Sequence, residues 1–296
     1  MWKTVKKSLL ITTGLVAVLG IWGLIEPKTL NLEEEAAQIP GLPADWQGRK
    51  IGQLSDFQVG PWWDNAGTAH RAVDRLVEEA PAAVLISGDF VYHAEPDPQP
   101  KIEEAVSIVL PLVEAGIPTY AVLGNHDYGM SGKEATPQTE LASELAIALE
   151  DAGVVILENE STEMSLPDSE QTLSLVGVGS RWANQADVNK ALQGVSSDQA
   201  RITMMHNPDT YEQFPASSAP LAVAGHTHGG QLRVPGLPQT SWLQFVQKDE
   251  VYADGWAKGY GEPGNNLYVN PGIGMSIIPI RLFCPPEVTI FTLEGE

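Results

Sequence analysis

The sequence predicts an α/β fold in which two mixed β-sheets pack together with helices on the outside. Three observations carry this. From residue 49 to residue 151, short apolar runs alternate with stretches whose apolar positions recur at helical spacing, the pattern of right-handed crossovers and a parallel sheet region. Beyond that point the apolar runs follow one another without long helices between them, so the later strands are expected to be partly antiparallel. Five polar clusters sit just past apolar runs between positions 56 and 228 and have to meet in space, so residues 49–296 read as one catalytic domain. At 296 residues and 43% apolar content, the chain can bury a sizeable core.

The elements follow in order. Lys3, Lys6 and Lys7 precede an uncharged stretch, residues 8–25, that Glu26 and Pro27 end. As a helix this stretch spans about 27 Å, close to the hydrocarbon thickness of a bilayer, so residues 1–30 read as a transmembrane or signal helix. The exit Leu19-Gly20-Ile21-Trp22-Gly23 fits a signal cleavage site poorly, and Trp22 suits a membrane interface. A retained single-pass anchor is therefore expected, ahead of secretion after cleavage or a peripheral hairpin. Lysines before the span and Glu33-Glu34-Glu35 after it place the domain on the extracytoplasmic side. Residues 31–48, with Pro40, Gly41, Pro43 and an acidic helical patch, read as a linker.

Strands are expected at 50–54, 82–86, 118–123, 154–157, 173–178, 201–205, 221–224, 267–269 and 288–293, and helices at 68–80, 102–116 and 140–151. Gly116 and Gly153 sit where helix C-caps belong. Residues 95–101 and 234–264 read as loops overhanging the site. The second carries Trp242, Phe245, Tyr252, Trp256 and Tyr260, an aromatic set expected to pack more than to touch substrate.

The formal charge of −21, from 38 acidic and 17 basic residues, repels nucleic-acid phosphates and anionic headgroups, so no nucleic-acid partner is expected. Cys284 is the one cysteine, which rules out an intrachain disulfide. Between Phe283 and Pro285-Pro286 it reads as a buried small residue rather than a nucleophile.

The clusters are Asp56-Phe57-Gln58, Gly88-Asp89, Gly124-Asn125-His126-Asp127, His206-Asn207 and Gly225-His226-Thr227-His228-Gly229-Gly230-Gln231. Carboxylates, an amide and four imidazoles without thiolate make an oxygen-plus-nitrogen set that suits a pair of divalent metals. Asp56 follows a strand, where a side chain points into the ligand crevice of an α/β fold, although aspartate also starts turns. Asp89, at the tip of a glycine turn, can reach two cations at once. Asn125 offers a neutral oxygen. His126 beside it can donate a proton or polarise a phosphoryl oxygen, and Asp127 can hold its other ring nitrogen. His206 alone is ambiguous. His226 and His228, at i and i+2 of an extended segment, share one face. His70 reads as a surface or cap residue, and His93 as a possible substrate contact.

With these motifs the chain resembles the calcineurin-like metallophosphoesterase superfamily across residues 49–294. The long form Gly-His-Thr-His-Gly-Gly-Gln and the tail from Tyr268-Val269-Asn270-Pro271-Gly272 through Arg281 to Glu287 resemble a branch of membrane-anchored bacterial phosphoesterases. That branch includes the chlamydial-type UDP-2,3-diacylglucosamine pyrophosphatases. The resemblance implies a four-layer sandwich and a dinuclear centre that activates water for in-line attack on a phosphodiester, pyrophosphate or phosphomonoester, a lipid-linked substrate among the candidates. It assigns Asp56 and His228 to a first metal, Asp89 to the bridge, Asn125, His206 and His226 to a second metal, and His126 to proton donation or phosphate stabilisation. Gln58 departs from the histidine usual in the first motif, which weakens the first site or tilts it toward Mn²⁺, with Fe, Zn or Co as alternatives. Arg181 and Arg233 are candidates for extra charge on the substrate or ordinary surface arginines. The competing reading is a non-catalytic metal-binding scaffold on the same fold.

Overall fold

The structure is a computed structural model and describes residues 2–61, 63–92, 94, 96–243 and 252–295. Its helices are α1 (Trp2–Ile25), α2 (Ala66–Glu79), α3 (Gln99–Glu114), α4 (Thr139–Asp151) and the short α5 (Val188–Ala191). The first sheet contains β1 (Asn31–Ile39), β2 (Lys50–Leu54), β3 (Ala83–Ile86), β4 (Thr119–Ala121), β5 (Val155–Ile156) and, from the far end of the chain, β14 (Glu287–Gly295). The second contains β6 (Glu160–Ser165), β7 (Thr172–Val178), β8 (Arg201–Met205), β9 (Ala222–Ala224), β12 (Gly255–Trp256) and β13 (Leu267–Val269). A separate hairpin pairs β10 (Arg233–Val234) with β11 (Leu237–Ser241).

The first sheet runs in the order β1-β14-β2-β3-β4-β5, the second β12-β13-β9-β8-β7-β6. β2 to β5 are mutually parallel, while β14 is antiparallel to β2. In the second sheet β13, β9, β8 and β7 are parallel and the outer strands β12 and β6 antiparallel. Both sheets are mixed, as expected.

Side-chain alternation sorts the strands between three layers of core. On β3, Val84 and Ile86 face α2 and α3, where Ala69, Ala72, Val73 and Leu76 of α2 recur at helical spacing. Ala83 and Leu85 face the other way, into a core shared with Leu175, Ile202, Met204 and Val223 of the second sheet. Behind the second sheet, Val176, Val178 and Met205 pack on Val188 and Ala191 of α5, and on Tyr211 and Phe214. The result is a four-layer sandwich. Gly116 and Gly153 have φ of +73° and +99° and close the ends of α3 and α4, the positions at which a left-handed residue costs least in a glycine.

Two expectations need correction. Residues 31–39 are not linker: β1 pairs in parallel with β14 over its whole length, Asn31 opposite Glu287 and Ile39 opposite Gly295. Its glutamates lie on an edge strand, where charge blocks pairing with another chain, while Ala37 and Ile39 turn into the core. Within the two expected loops, α3 already begins at Gln99, and β11 and β12 occupy parts of 234–264. Phe245 and His93 lie outside the described residues. His70, on α2, pairs with Glu104 at 3.3 Å on the surface.

Helix α1 and the turn after it make a stretch, Lys6–Lys28, long and apolar enough to cross a membrane, with mean hydropathy 2.1. Its C-terminal end is bonded to the domain. The Arg281 amide donates to the Gly23 carbonyl at 3.0 Å. Asn65 Nδ2 donates to the Pro27 carbonyl at 2.6 Å. The buried Glu26 carboxylate accepts from the amides of Phe283, at 2.9 Å, and Cys284.

Candidate metal centre

The parallel strands of both sheets have their carboxyl ends on the side of the sandwich from which the site grows. Asp56 follows β2, Asp89 follows β3, Asn125 and His126 follow β4, His206 follows β8, and His226 and His228 follow β9. This is the crevice beyond the carboxyl ends of strands where α/β folds bind ligands. Asp56, Gln58, Asp89, His226 and His228 all hold φ between 51° and 72°, a region that non-glycine residues enter only when their surroundings compel it. Gly124 and Gly225 permit the crowding: a Cβ at Gly124 would stand 2.1 Å from Asp89 Oδ1, and one at Gly225 1.7 Å from Ser55 Oγ.

Among the described residues two groups of ligand atoms form, Asp89-His206-His226 and Asp56-Asp89-His228, each with all its atoms within 4.8 Å of one another. Asp89 belongs to both. Its Oδ2 is 3.2 Å from His206 Nε2 and its Oδ1 accepts the His126 amide at 2.8 Å. His206 Nδ1 is 2.7 Å from the Ser87 carbonyl, which can only accept, so Nδ1 carries a proton and Nε2 is the ring nitrogen that faces the centre. His226 Nδ1 and Asn125 Oδ1 each lie 3.2 Å from that same Nε2. The Asn125 amide cannot be reversed without penalty, because its nitrogen donates to the Met130 carbonyl at 2.9 Å. On the other side His228 Nε2 is 3.5 Å from Asp56 Oδ1.

Gln58 faces the centre. Its Nε2 lies 2.7 Å from Asp89 Oδ2 and 3.2 Å from His228 Nε2, and its Oε1 is buried without a hydrogen-bond partner. Amide oxygen and nitrogen are assigned by their neighbours. With a cation among these ligands, the reversed amide would turn its oxygen toward it.

Electrostatics agree with a cation site. Burial alone would lower His206, but Asp89 lifts it to about 9, so a proton holds the place a cation would take. Burial holds His228 down to about 3, with Arg281 adding to the shift, and drives His226 well below its ordinary value, leaving neutral imidazoles with free lone pairs. Asp89 is kept ionised: burial pushes it up, but the charges of His206 and His126 outweigh that. Burial raises Asp56 to about 7. The donor set thus fits two divalent cations that share Asp89.

One expected role is overturned. Asp127 does not hold the His126 ring; its carboxylate turns inward and accepts the amides of Gly124 at 2.8 Å, Asp89 at 2.9 Å and Val91 at 3.1 Å. These three backbone amides, and not the His126 ring, are the partners of the carboxylate among the described residues. Asp127 therefore locks the turn that carries Asp89. His126 itself packs its ring 4.4 Å from Tyr92 and lines the pocket.

Arg281 was missed. It is fully buried, and its guanidinium donates to the carbonyls of Pro271, Gly272, Gly274 and Cys284. That fixes the 270–274 loop, whose Ile273 and Gly274 amides in turn donate to the Ser55 and Asp56 carbonyls. The sequence signal was one arginine in an otherwise uncharged stretch, 271–286. Asn207 also has a role: its Oδ1 accepts the Arg181 amide at 3.0 Å, setting the loop that puts Trp182 4.3 Å from His226.

The pocket over the centre measures about 140 Å³ and is lined by His126, Trp182, His226, His228, Trp242 and Ile277 among others. Neither arginine candidate lines it. Arg181 is held by Asp209 at 3.6 Å and Arg233 by Asp254 at 2.7 Å. Of the aromatic loop, Trp242 reaches the pocket, whereas Tyr252 stacks on Tyr260 and Trp256 packs on Tyr268 and Phe291.

The profile of one family, described as calcineurin-like phosphoesterase, matches residues 49–230. Phosphodiesterase YaeI of Escherichia coli (strain K12) is 33% identical over 218 residues, covering 73% of this chain and 72% of that protein. An uncharacterized metallophosphoesterase of Bacillus subtilis (strain 168), YkuE, is 26% identical over 271 residues, covering 92% and 88%. The UDP-2,3-diacylglucosamine pyrophosphatase LpxG of Chlamydia muridarum is 26% identical over 314 residues, covering 90% of each chain.

Proposed function

Because the chain belongs to the calcineurin-like phosphoesterase family, we propose that it is a membrane-anchored hydrolase of phosphodiesters or pyrophosphates working through two divalent metals that share Asp89. The observation that carries this is the overlap of the two ligand groups at one buried carboxylate. Asp56, Asp89 and His228 would hold the first metal, with the Gln58 amide beside them; Asp89, Asn125, His206 and His226 would hold the second. When bound, such a pair clamps a phosphate and lowers the pKa of a water.

The remaining chemistry belongs to the chain. Hydrolysis joins a water oxygen to phosphorus and breaks the P–O bond to the leaving group. His126, beside the ligands at the pocket wall, stabilises the phosphoryl oxygens and gives a proton to the departing oxygen. Asp127 keeps Asp89 on its strained turn, and Arg281 keeps the Asp56 and His228 loops together. Apolar Trp182, Trp242 and Ile277 at the wall exclude water around the phosphate.

Helix α1 serves as the anchor, with the domain on the extracytoplasmic side. Its bonds to Gly23 and Glu26 favour retention over cleavage. UDP-linked lipid chemistry is cytoplasmic, so the substrate in the name of the chlamydial relative is not carried over to this chain.

The sulfur-free ligand set with Gln58 favours Mn²⁺. Chelation and dialysis should abolish hydrolysis of bis-p-nitrophenyl phosphate, and Mn²⁺ should restore it better than Zn²⁺ or Mg²⁺. Full turnover after exhaustive chelation would refute the reading.

A further inference from the structure

Residues 276–283 read Ser-Ile-Ile-Pro-Ile-Arg-Leu-Phe, and their charge is hidden, since Arg281 is fully buried. Two of these apolar side chains point outward. Ile277 is 66% and Phe283 39% exposed. Both sit at positive φ, 59° and 58°. For a β-branched residue that conformation is a steric outlier, and holding an isoleucine there to show it to water has no folding advantage. The neighbouring hairpin adds Val234 and Leu237, 45% and 56% exposed, and residues 234–243 contain no charge. The two pieces are joined, with the Arg233 amide donating to the Leu282 carbonyl at 3.0 Å and Leu232 bridging to Leu282.

This patch is fixed to the end of α1. From Lys6 to Ile25 the helix is about 30 Å long, the thickness of the hydrocarbon layer. Gly23, whose carbonyl receives the Arg281 amide, lies about 3 Å inside its C-terminal end at 1.5 Å per residue. A Cβ at Gly23 would touch Ile280 at 3.6 Å. A helix that spans the bilayer therefore carries residues 280–283 into the interfacial layer. Trp22, 43% exposed on the same turn, is the residue type that settles at that depth.

The patch also borders the catalytic pocket. Gln231, three residues past His228, donates to the carbonyls of Ile278 and Ile280 at 2.9 Å and accepts the Ser276 amide at 2.6 Å. Ser276, Ile277, Ile278, Trp242 and Leu243 line one side of the pocket. At about 140 Å³ this cavity is well under the roughly 300–1,000 Å³ that encloses a whole drug-sized ligand. It admits the phosphate and leaves the rest of the substrate along an apolar rim.

We propose that residues 276–283 and the β10–β11 hairpin form a collar seated in the bilayer that α1 crosses, and that the pocket takes a lipid phosphoester from that layer while its acyl chains stay in the membrane. The proposal rests on the anchored-phosphoesterase reading above and adds the surface and the substrate class. The collar works by apolar insertion, because a chain of charge −21 gains nothing from anionic headgroups.

The test uses the full chain, loaded with Mn²⁺ and reconstituted in phosphatidylcholine vesicles. Phosphatidyl-p-nitrophenol in the same vesicles and bis-p-nitrophenyl phosphate in the water phase both release p-nitrophenolate when water attacks phosphorus. In Phe283→Ser and Leu237→Ser, neither of which lines the pocket, the rate on the lipid should fall about tenfold, the loss expected when one large side chain no longer leaves water. The rate on the soluble ester should hold, and Phe283→Leu should keep both. Equal loss on both substrates, or no loss on the lipid, overturns the collar, as does a wild type that cleaves the soluble ester and leaves the embedded one. A metal-loaded wild type that cleaves neither refutes the phosphoesterase reading itself.

Discussion

The two sheets contribute different chemistry to the centre. The first supplies oxygen: Asp56, Asp89 and Asn125 stand at the ends of β2, β3 and β4, with the Gln58 amide beside them. The second supplies nitrogen: His206, His226 and His228 follow β8 and β9. Neither sheet alone assembles a site, and each of the two ligand groups draws from both. A bound cation would therefore cross-link the sandwich at the place where its halves meet. Asp89, which reaches histidines of both groups, carries the charge that two cations must share.

The largest effect on turnover without loss of metal should come from His126. It shares a turn with the candidate ligand Asn125 and lines the pocket without joining a ligand group. His126→Ala should retain its metals and lose turnover by about 10²–10⁴, the range of a positioned acid–base group. Metal loss matching the activity loss would make His126 a ligand and spoil the division between oxygen and nitrogen sides.

A smaller effect belongs to Gln58, the point at which the oxygen side comes closest to His228. Gln58→His places an imidazole between Asp89 and His228 and should tighten the first site by about 10–100-fold, shifting preference toward Zn²⁺ or Fe. Gln58→Ala should change affinity much less. Metal titration of the three proteins checks this, and unchanged affinity and selectivity in Gln58→His would mean that the amide serves only as a hydrogen-bond donor to Asp89.

The candidate site was legible in the sequence because each candidate ligand is a polar side chain within four residues of the end of a buried strand, a pattern that survives without coordinates. Val84-Leu85-Ile86 before Gly88-Asp89 is one case, and Ala222-Val223-Ala224 before Gly225-His226 another. What it concealed depends on backbone partners. Asp127 next to a histidine looks like the group that orients the ring, yet three amides reach it first. Arg281 binds carbonyl oxygens, which no residue pattern marks. The strand β1 was hidden for a different reason: Leu32-Glu33-Glu34-Glu35-Ala36-Ala37 has the composition of a helix, and only pairing with β14, more than 250 residues later, makes it a strand.

The central claim is that Asp89 serves both metals while each histidine of the second sheet serves one. Elemental analysis of metal bound per chain, after equilibration with Mn²⁺ and removal of free ion, tests it most directly. The wild type should hold two, His206→Ala one, and Asp89→Asn close to none. Equal metal content in His206→Ala and Asp89→Asn would contradict a shared carboxylate.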